Sequence, residues 1–237
     1  MRKLIRGDIA RILCKKEIYI FGALLYCILI FWKNKTTAED QIELFHTMVD
    51  FVGLLICLVA VYLTVYGDEM RAGSMQIVIG RGMSRRKVVI SKVIDCVILF
   101  TIMFMGFLLV FYIKNAVSHV VLTPKQNLMV FMYVFVHIIK AACYFALSGL
   151  FLFASWNTAI GLIGLILLVC ANIAFVFIQT NTHIPVYDYW IDGLGDSVYN
   201  DIVINDFPWK VIPLLAFYLV VPVLITEKIF DRKELDL

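Results

Sequence analysis

The sequence is short of charged residues. Only 16% of its 237 residues are charged and 62% are hydrophobic, and the mean hydropathy is +0.90. A soluble domain carries about 25% charged and about 45–50% apolar residues. A chain this apolar would expose large hydrophobic patches if it folded in water. Its apolar residues are also clustered into long runs. The composition therefore predicts an integral membrane protein.

Motifs that bind phosphates or support catalysis in soluble enzymes are also missing. The chain has no G-x-x-x-x-G-K-[ST] loop, no H-E-x-x-H zinc motif and no G-x-S-x-G nucleophile motif. The six cysteines lie in apolar runs or in segments expected in the cytoplasm, so neither a disulfide framework nor a metal site is indicated. The longest intervals outside the apolar runs are about thirty residues, which leaves no room for a soluble catalytic module. We expect no nucleic-acid partner.

Six apolar runs are candidates to cross a bilayer, whose hydrocarbon core needs roughly 17–25 residues in helical form. They cover residues 18–32, 48–66, 93–113, 128–153, 159–178 and 211–226. The first and last are short, but the flanking Lys33 and Lys210 can extend to the interface. The first run lacks a small-residue cleavage site, so we expect it to stay in the mature protein. The predicted fold is an all-α integral membrane protein with six spans in one transmembrane domain.

Lysine and arginine are concentrated on one side of this arrangement. Segments 1–16 and 67–92 and the C-terminal tail hold fifteen of them, the other side holds five, and Lys140 lies within a run. Since these residues collect on the cytoplasmic side, we expect a multi-pass cell-membrane protein with both termini in the cytoplasm. Residues 179–210 then form an extracellular loop, which is acidic: Asp188, Asp192, Asp196, Asp201 and Asp206.

The N-terminal segment, residues 1–16, has an apolar stripe at helical spacing, with basic residues mostly on the remaining arc. The stripe consists of Leu4, Ile5, Ile9, Ile12 and Leu13. This pattern predicts an amphipathic helix in the cytoplasmic membrane interface, bound by its apolar face and by anionic headgroups. A disordered basic tail is the alternative.

Three ionisable residues in the apolar runs are candidates for a translocation path. Asp95 lies near the cytoplasmic start of the third run, and His137 and Lys140 lie on one face of the fourth. A lysine at the centre of a span costs about 2.5–3.5 kcal/mol on insertion scales, so Lys140 is expected to face a partner or a wet cavity. These residues either line a path or make structural contacts between helices, and the sequence leaves both open.

The 67–92 interval combines six basic and two acidic residues with an apolar centre, Ser74 to Ile79, which is too short to span a membrane. Flanking glycines predict a short helix that lies against another surface. Ser84 is the predicted N-cap of the helix that continues into the third span. The interval is either a basic loop on the membrane surface or a docking helix for a cytoplasmic partner.

The order of residues in this interval is informative. It runs from Glu69 to Gly73-Ser74, an apolar turn, Gly82-x-Ser84-Arg85 and Ser91-Lys92. This order resembles the type-2 ATP-binding-cassette (ABC) transporter permeases. There a Glu-x-x-x-Gly-Thr stretch follows span two, a Pro/Gly-x-Ser-Arg turn precedes span three, and a coupling helix between them sits in a groove of a separate ATPase. Ser74 replaces the usual Thr, and Arg81-Gly82 stands where Pro is common. The layout of interfacial helix, six spans and a longer outer loop before span six is also similar.

The resemblance implies a permease subunit that pairs with a second permease, identical or homologous, and docks on a cytoplasmic ABC ATPase. That ATPase would bind ATP and Mg, whereas this chain would hold no cofactor and catalyse no reaction. Basic residues next to the contact, Arg86 and Lys87 among them, would also meet lipid headgroups. The implied coupling residues are Glu69, Gly73, Ser74, Met75, Gln76, Ile77, Val78, Ile79, Gly80, Arg81, Ser84 and Arg85.

The sequence says less about the transported substrate than about the class of transporter. The family includes exporters of peptides, drugs, lipids and polysaccharides, and the small size of this chain favours a peptide or amphiphile, of the antimicrobial-peptide export or immunity type. The acidic 179–210 segment would attract cationic peptides. A solvated rim with Tyr189 and Trp190 as interface anchors explains the same residues. A membrane-anchoring or sensor subunit, and an intramembrane enzyme, remain alternatives.

Overall fold

The fold is described from a computed structural model of the protein. The structure describes residues 37–71, 84–204, 209 and 211–232, with isolated positions between residues 7 and 27. Apart from those positions, the predicted interfacial helix (1–16) and first span (18–32) lie outside the described residues. So do residues 72–83 of the predicted coupling segment.

The described residues form seven α-helices and no β-strand, which confirms the all-α prediction for this part of the chain. A π-helical turn, Val49–Gly53, joins the first two helices, and a 3-10 turn, Tyr187–Tyr189, precedes the sixth. The helices are α1 (Ala38–Met48), α2 (Leu54–Arg71), α3 (Arg85–Val117), α4 (Pro124–Ser155), α5 (Thr158–Thr182), α6 (Ile191–Ile204) and α7 (Ile212–Arg232).

Four of these helices are long and apolar enough to cross a membrane: α3, α4, α5 and, up to Phe230, α7. They contain the third, fourth and fifth predicted spans and nearly all of the sixth. Helix α2 has a shorter apolar stretch, Leu54–Gly67, which overlaps the second predicted span. The structure therefore supports a multi-pass membrane protein with four long spans among the described residues.

Local sequence determines where the central helices begin and end. Thr123 and Gln126 form a capping box at the start of α4, and Pro124 is its first residue. Trp156 ends α4 in a left-handed conformation with φ 56°. Asn157 then caps α5, because its side-chain oxygen accepts a hydrogen bond from the backbone N–H of Ala159. Only these last two residues join the helices, so α4 and α5 are antiparallel neighbours.

Helix α4 is the centre of the bundle. It packs against α3, α5, α6 and α7, and its residues Tyr144, Phe145 and Leu152 are fully buried. In contrast, α5 and α7 turn large apolar side chains outward, such as Leu167 and Phe217. Apolar outer faces on a bundle of this kind suit contact with lipid rather than water.

Within the predicted extracellular loop 179–210 the structure describes a helix that was not expected from the sequence. The first residues of this interval complete α5, and Ile191–Ile204 form helix α6, which packs against α4. The physical reason is an apolar stripe at helical spacing: Ile191, Leu194 and Val198 are all buried. Asp192, expected on a solvated rim, is only 4% exposed.

Candidate functional site

Lys140 lies near the middle of α4 and is buried between two aspartates of α6. Its Nζ atom is 2.8 Å from Oδ1 of Asp196 and 3.5 Å from Oδ1 of Asp192. Gly195 makes room for the lysine chain, because a Cβ atom at this position would lie 2.1 Å from Lys140 Cε. The predicted need of Lys140 for a partner is thus met by two carboxylates from a helix that the sequence analysis did not expect.

Two tyrosines complete the bonding of these carboxylates. The Tyr144 hydroxyl donates to Oδ2 of Asp192 at 2.6 Å, and the Tyr187 hydroxyl donates to Oδ2 of Asp196 at 2.5 Å. Burial, with the neighbouring Asp196, raises the pKa of Tyr187, so this hydroxyl keeps its proton. We call these five residues, Lys140, Asp192, Asp196, Tyr144 and Tyr187, the lysine network. All four of its carboxylate oxygens have a polar partner.

His137 lies one helical turn before Lys140 and contacts a different helix. Its Nε2 atom is 2.9 Å from Oδ1 of Asp50, in the π-helical turn, and its Nδ1 atom is 2.9 Å from the carbonyl oxygen of Tyr133. The carbonyl only accepts, so Nδ1 carries a proton. The contact between His137 and Asp50 therefore joins α4 to the π-helical turn.

Aromatic rings surround this pair. Tyr133 stacks on His46 with ring centres 3.7 Å apart, and Phe104 stacks on His137 at 5.9 Å. Burial lowers the pKa of His46 to about 4, so this ring is uncharged at neutral pH. The lysine network and the His137–Asp50 pair lie one helical turn apart on the same face of α4, each with an acidic partner from another part of the chain.

Asp95, the third residue predicted to line the path, has a different partner. It is fully buried on α3, and its Oδ2 atom is 3.6 Å from Nζ of Lys92, less than one turn away. The structure therefore brings His137 and Lys140 together on one face of α4, as predicted, and places Asp95 in a separate ion pair of α3.

A second group of contacts lies where α3 begins and α7 ends, which we call the Arg85 end. Ser84 is the N-cap of α3 by position, as predicted, although its side chain makes no capping hydrogen bond. The Arg85 guanidinium donates to the carbonyl oxygen of Phe230, and Arg86 Nε is 3.5 Å from Oε2 of Glu227. These contacts attach the end of the predicted coupling segment to the last helix.

Most of the predicted coupling residues, Gly73 to Arg81, lie outside the described residues, and Glu69 falls in the last turn of α2. Asp50, Tyr144 and Tyr187 were not predicted from the sequence as site residues. The available signal was Asp50 inside an otherwise apolar predicted span, since a carboxylate there requires a polar partner.

Comparison with known protein families gives a match over most of the chain. Residues 3–225 match a family described as "ABC-2 family transporter protein". No curated protein matches the chain significantly.

Proposed function

Because the chain belongs to the ABC-2 transporter family, as a permease subunit of an ABC transporter, we propose that it exports a peptide or another amphiphile from the cell. The observation that carries this proposal is the presence of two buried polar contacts on one face of α4, the lysine network and the His137–Asp50 pair. Charged groups in a spanning helix mark substrate or ion pathways far more often than they face lipid.

Two exposed carboxylates support a path at this region. The side chains of Asp50 and Asp196 are 56% and 49% exposed, although their partners, His137 and Lys140, are buried. A carboxylate exposed to hydrocarbon would be costly, so these side chains face water or another subunit. A second permease, identical or homologous, placed over this surface would enclose a hydrated path between the two chains.

A separate cytoplasmic ABC ATPase would supply the energy. In this proposal the ATPase binds ATP and Mg and docks on the 67–92 interval, from Glu69 through Arg85. A movement of that interval would reach the spans through the Arg85 end. This route is supported by the contacts of Arg85 and Arg86 with the end of α7.

The orientation follows from the charges at the two ends of the bundle. The first turns of α3 carry Arg85, Arg86 and Lys87, whereas the opposite end of this helix carries Lys114 alone. The positive-inside rule supports a proposed orientation in which the Arg85 end faces the cytoplasm, with both termini on that side of a cell membrane. Helix α6 then lies on the extracellular half.

The cargo proposed from the charges is a cationic peptide. Asp50, Asp188 and Asp196 are exposed on the half of the bundle that carries α6. Their negative potential would concentrate a cationic peptide there at low ionic strength. In vesicles, export of a cationic peptide should exceed export of its charge-reversed analogue, and equal rates would contradict a cationic cargo.

Purification from membranes in mild detergent tests the class of function. An ABC ATPase should accompany the full chain and be lost when Glu69 and Ile77 are both replaced by alanine, whereas Glu43→Ala, at the opposite end of the bundle, should retain it. If no ATPase accompanies the unaltered chain, the export proposal fails.

A sensor or anchoring subunit is the second candidate, favoured by one observation. Every carboxylate oxygen of the lysine network has a partner, as in a purely structural contact. If the chain recruits an ATPase whose hydrolysis responds to no peptide or amphiphile, and vesicles show no export, the anchoring role replaces the export role.

A further inference from the structure

Helix α6 contacts the bundle through apolar, aromatic and charged side chains, since Tyr199 also packs edge-on against the rings of His46 and Tyr133. Its buried apolar face consists of Ile191, Leu194 and Val198. Its charged contacts converge on one atom, because Asp192 and Asp196 both approach Nζ of Lys140. Removal of this single cation would therefore leave two carboxylates of α6 facing α4 without their counter-charge.

The two links of Lys140 differ in their access to water. The Asp192 side chain is 6% exposed and is bonded to Tyr144, whereas the Asp196 side chain is 49% exposed and is bonded to Tyr187 of the 3-10 turn. Water can compete for Asp196 but hardly for Asp192. The inner link of Lys140, to Asp192, is thus protected from water, whereas solvent can replace the outer link, to Asp196.

The lysine network is not arranged as a binding site for a metal ion. No group of three or more metal-ligating side chains occurs among the described residues. The four carboxylate oxygens are already used by one ammonium group and two hydroxyl groups. Such an arrangement fixes one helix to another and contains no vacant ligand position.

We propose that Lys140 is the positioning residue of an extracellular gate, in which the lysine network holds helix α6 closed against α4 and must release it when the permease opens outward. The inference rests on the export function proposed above. When α6 moves away, Asp192 and Asp196 enter water together with their helix, and Lys140 remains on α4 facing the opened path. Each charge then exchanges its partner for water.

The position of α6 supports this role. The 3-10 turn before α6 is held on α5, since Gln179 accepts a hydrogen bond from the backbone N–H of Tyr187 and donates one to Asp188. Tyr218 of α7 donates to the carbonyl oxygen of Tyr189. The entry to α6 is therefore attached to two outer helices, and the lysine network supplies the charged contacts between its first turns and the central helix.

Thiol labelling of the full chain in vesicles tests the gate. A cysteine replaces Leu194, which is 2% exposed, in a background where Cys14, Cys27 and Cys170 are changed to alanine, and a membrane-impermeant maleimide is added. Lys140→Gln should raise the labelling rate about tenfold or more, because reaction of a buried thiol reports the open population. Lys125→Gln, an exposed lysine of the same helix, should leave the rate unchanged.

Internal controls separate gate opening from unfolding. Cys57 is fully buried on α2 and should stay unlabelled in Lys140→Gln. If Cys57 reacts as well, the milder Asp196→Asn decides, since it keeps Lys140 next to Asp192. A rise at position 194 alone supports the proposal. An unchanged rate at position 194, in Lys140→Gln with Cys57 protected or in Asp196→Asn, overturns it.

The effect of ATP on the labelling rate tests whether the lysine network acts as a gate. With the ATPase bound, ATP should raise labelling at position 194 in the chain that retains Lys140, and should have little effect in Lys140→Gln, where α6 is already released. If ATP is hydrolysed without changing this rate, the network is structural and the gate is refuted. Labelling without ATP needs neither ATPase nor cargo, so it stays informative even if the export function fails.

Discussion

The guanidinium group of Arg85 donates a hydrogen bond to the backbone carbonyl oxygen of Phe230 and lies 5.4 Å from the centre of its ring. One side chain thus joins the first residue of α3 to the end of α7, next to the predicted coupling segment. Phe230 is fully buried and packs against Phe153 and Trp156, so the contact reaches the α4–α5 turn as well.

Replacement of Arg85 by glutamine should weaken this junction. A hydrogen bond from a charged donor contributes about 1.5–3 kcal/mol and a cation–π contact about 0.5–1 kcal/mol. A loss of about 2 kcal/mol corresponds to a drop of roughly 4–8 °C in the unfolding temperature of the detergent-solubilised protein. Lys87→Gln, an exposed residue in the same turn, is the control and should shift it by less than about 2 °C. Equal shifts would show that Arg85 adds nothing specific.

Removal of the Tyr144 hydroxyl should cost more than removal of the Tyr218 hydroxyl. Tyr144 is fully buried and donates to a carboxylate, whereas Tyr218 is partly exposed and donates to a backbone carbonyl. Tyr144→Phe is expected to lose about 1.5–3 kcal/mol and Tyr218→Phe about 0.5–1.5 kcal/mol. Thermal unfolding of the two variants side by side measures the difference, and the reverse order would contradict the assigned bond to Asp192.

A methyl group at Gly195 should disturb the lysine network, whereas one at Gly149 should not. The added Cβ would lie 2.1 Å from Lys140 Cε at position 195 but has no neighbour within 4 Å at position 149. We expect Gly195→Ala to destabilise by about 1–3 kcal/mol, since Lys140 must move from its aspartates. Gly149→Ala should be neutral or stabilise by about 0.4–1 kcal/mol. If both lower the unfolding temperature equally, the close approach at Gly195 is not the cause.

Loss of the Asp50 carboxylate should leave a ring nitrogen of His137 without its partner. A buried donor or acceptor without a partner costs about 1–3 kcal/mol. Since Asp50 is itself half exposed, we expect Asp50→Ala to fall at the lower end of this range. Glu43→Ala, an exposed carboxylate of α1, should change the stability by less than about 0.5 kcal/mol. Histidine NMR provides a second measurement: the ring signals of His137 should shift in Asp50→Ala and stay in place in Glu43→Ala.

The long spans were predictable because apolar runs of sufficient length have few alternatives in a chain of this composition. Their ends were not: α3 begins at Arg85, eight residues before the predicted span 93–113, because polar residues continue the helix beyond the apolar run. Hydropathy reports which residues prefer hydrocarbon, and it does not report where a helix stops.

Only part of the candidate site could be predicted from the sequence. Lys140 and His137 were identified because charged or polar side chains in a span need partners, and the structure supplies those partners. Asp192 and Asp196 were assigned to a loop, although Ile191, Leu194 and Val198 already had helical spacing. The 179–210 interval was interpreted as a loop because it is long and acidic. The apolar stripe that folds it against α4 was not recognised.

The π-helical turn also determines how this part of the chain can change in length. The backbone N–H of Leu54 donates to the carbonyl oxygen of Val49, five residues back instead of the four of an α-helix. The helix thus contains one residue more than a regular α-helical path requires. Deletion of one residue here would let the turn close as regular α-helix, with α1 and α2 in nearly the same relative orientation, and would remove the wide turn that carries Asp50. A single deleted codon at this point would therefore show whether the contact between Asp50 and His137 needs the wide turn, while the helix itself stays continuous.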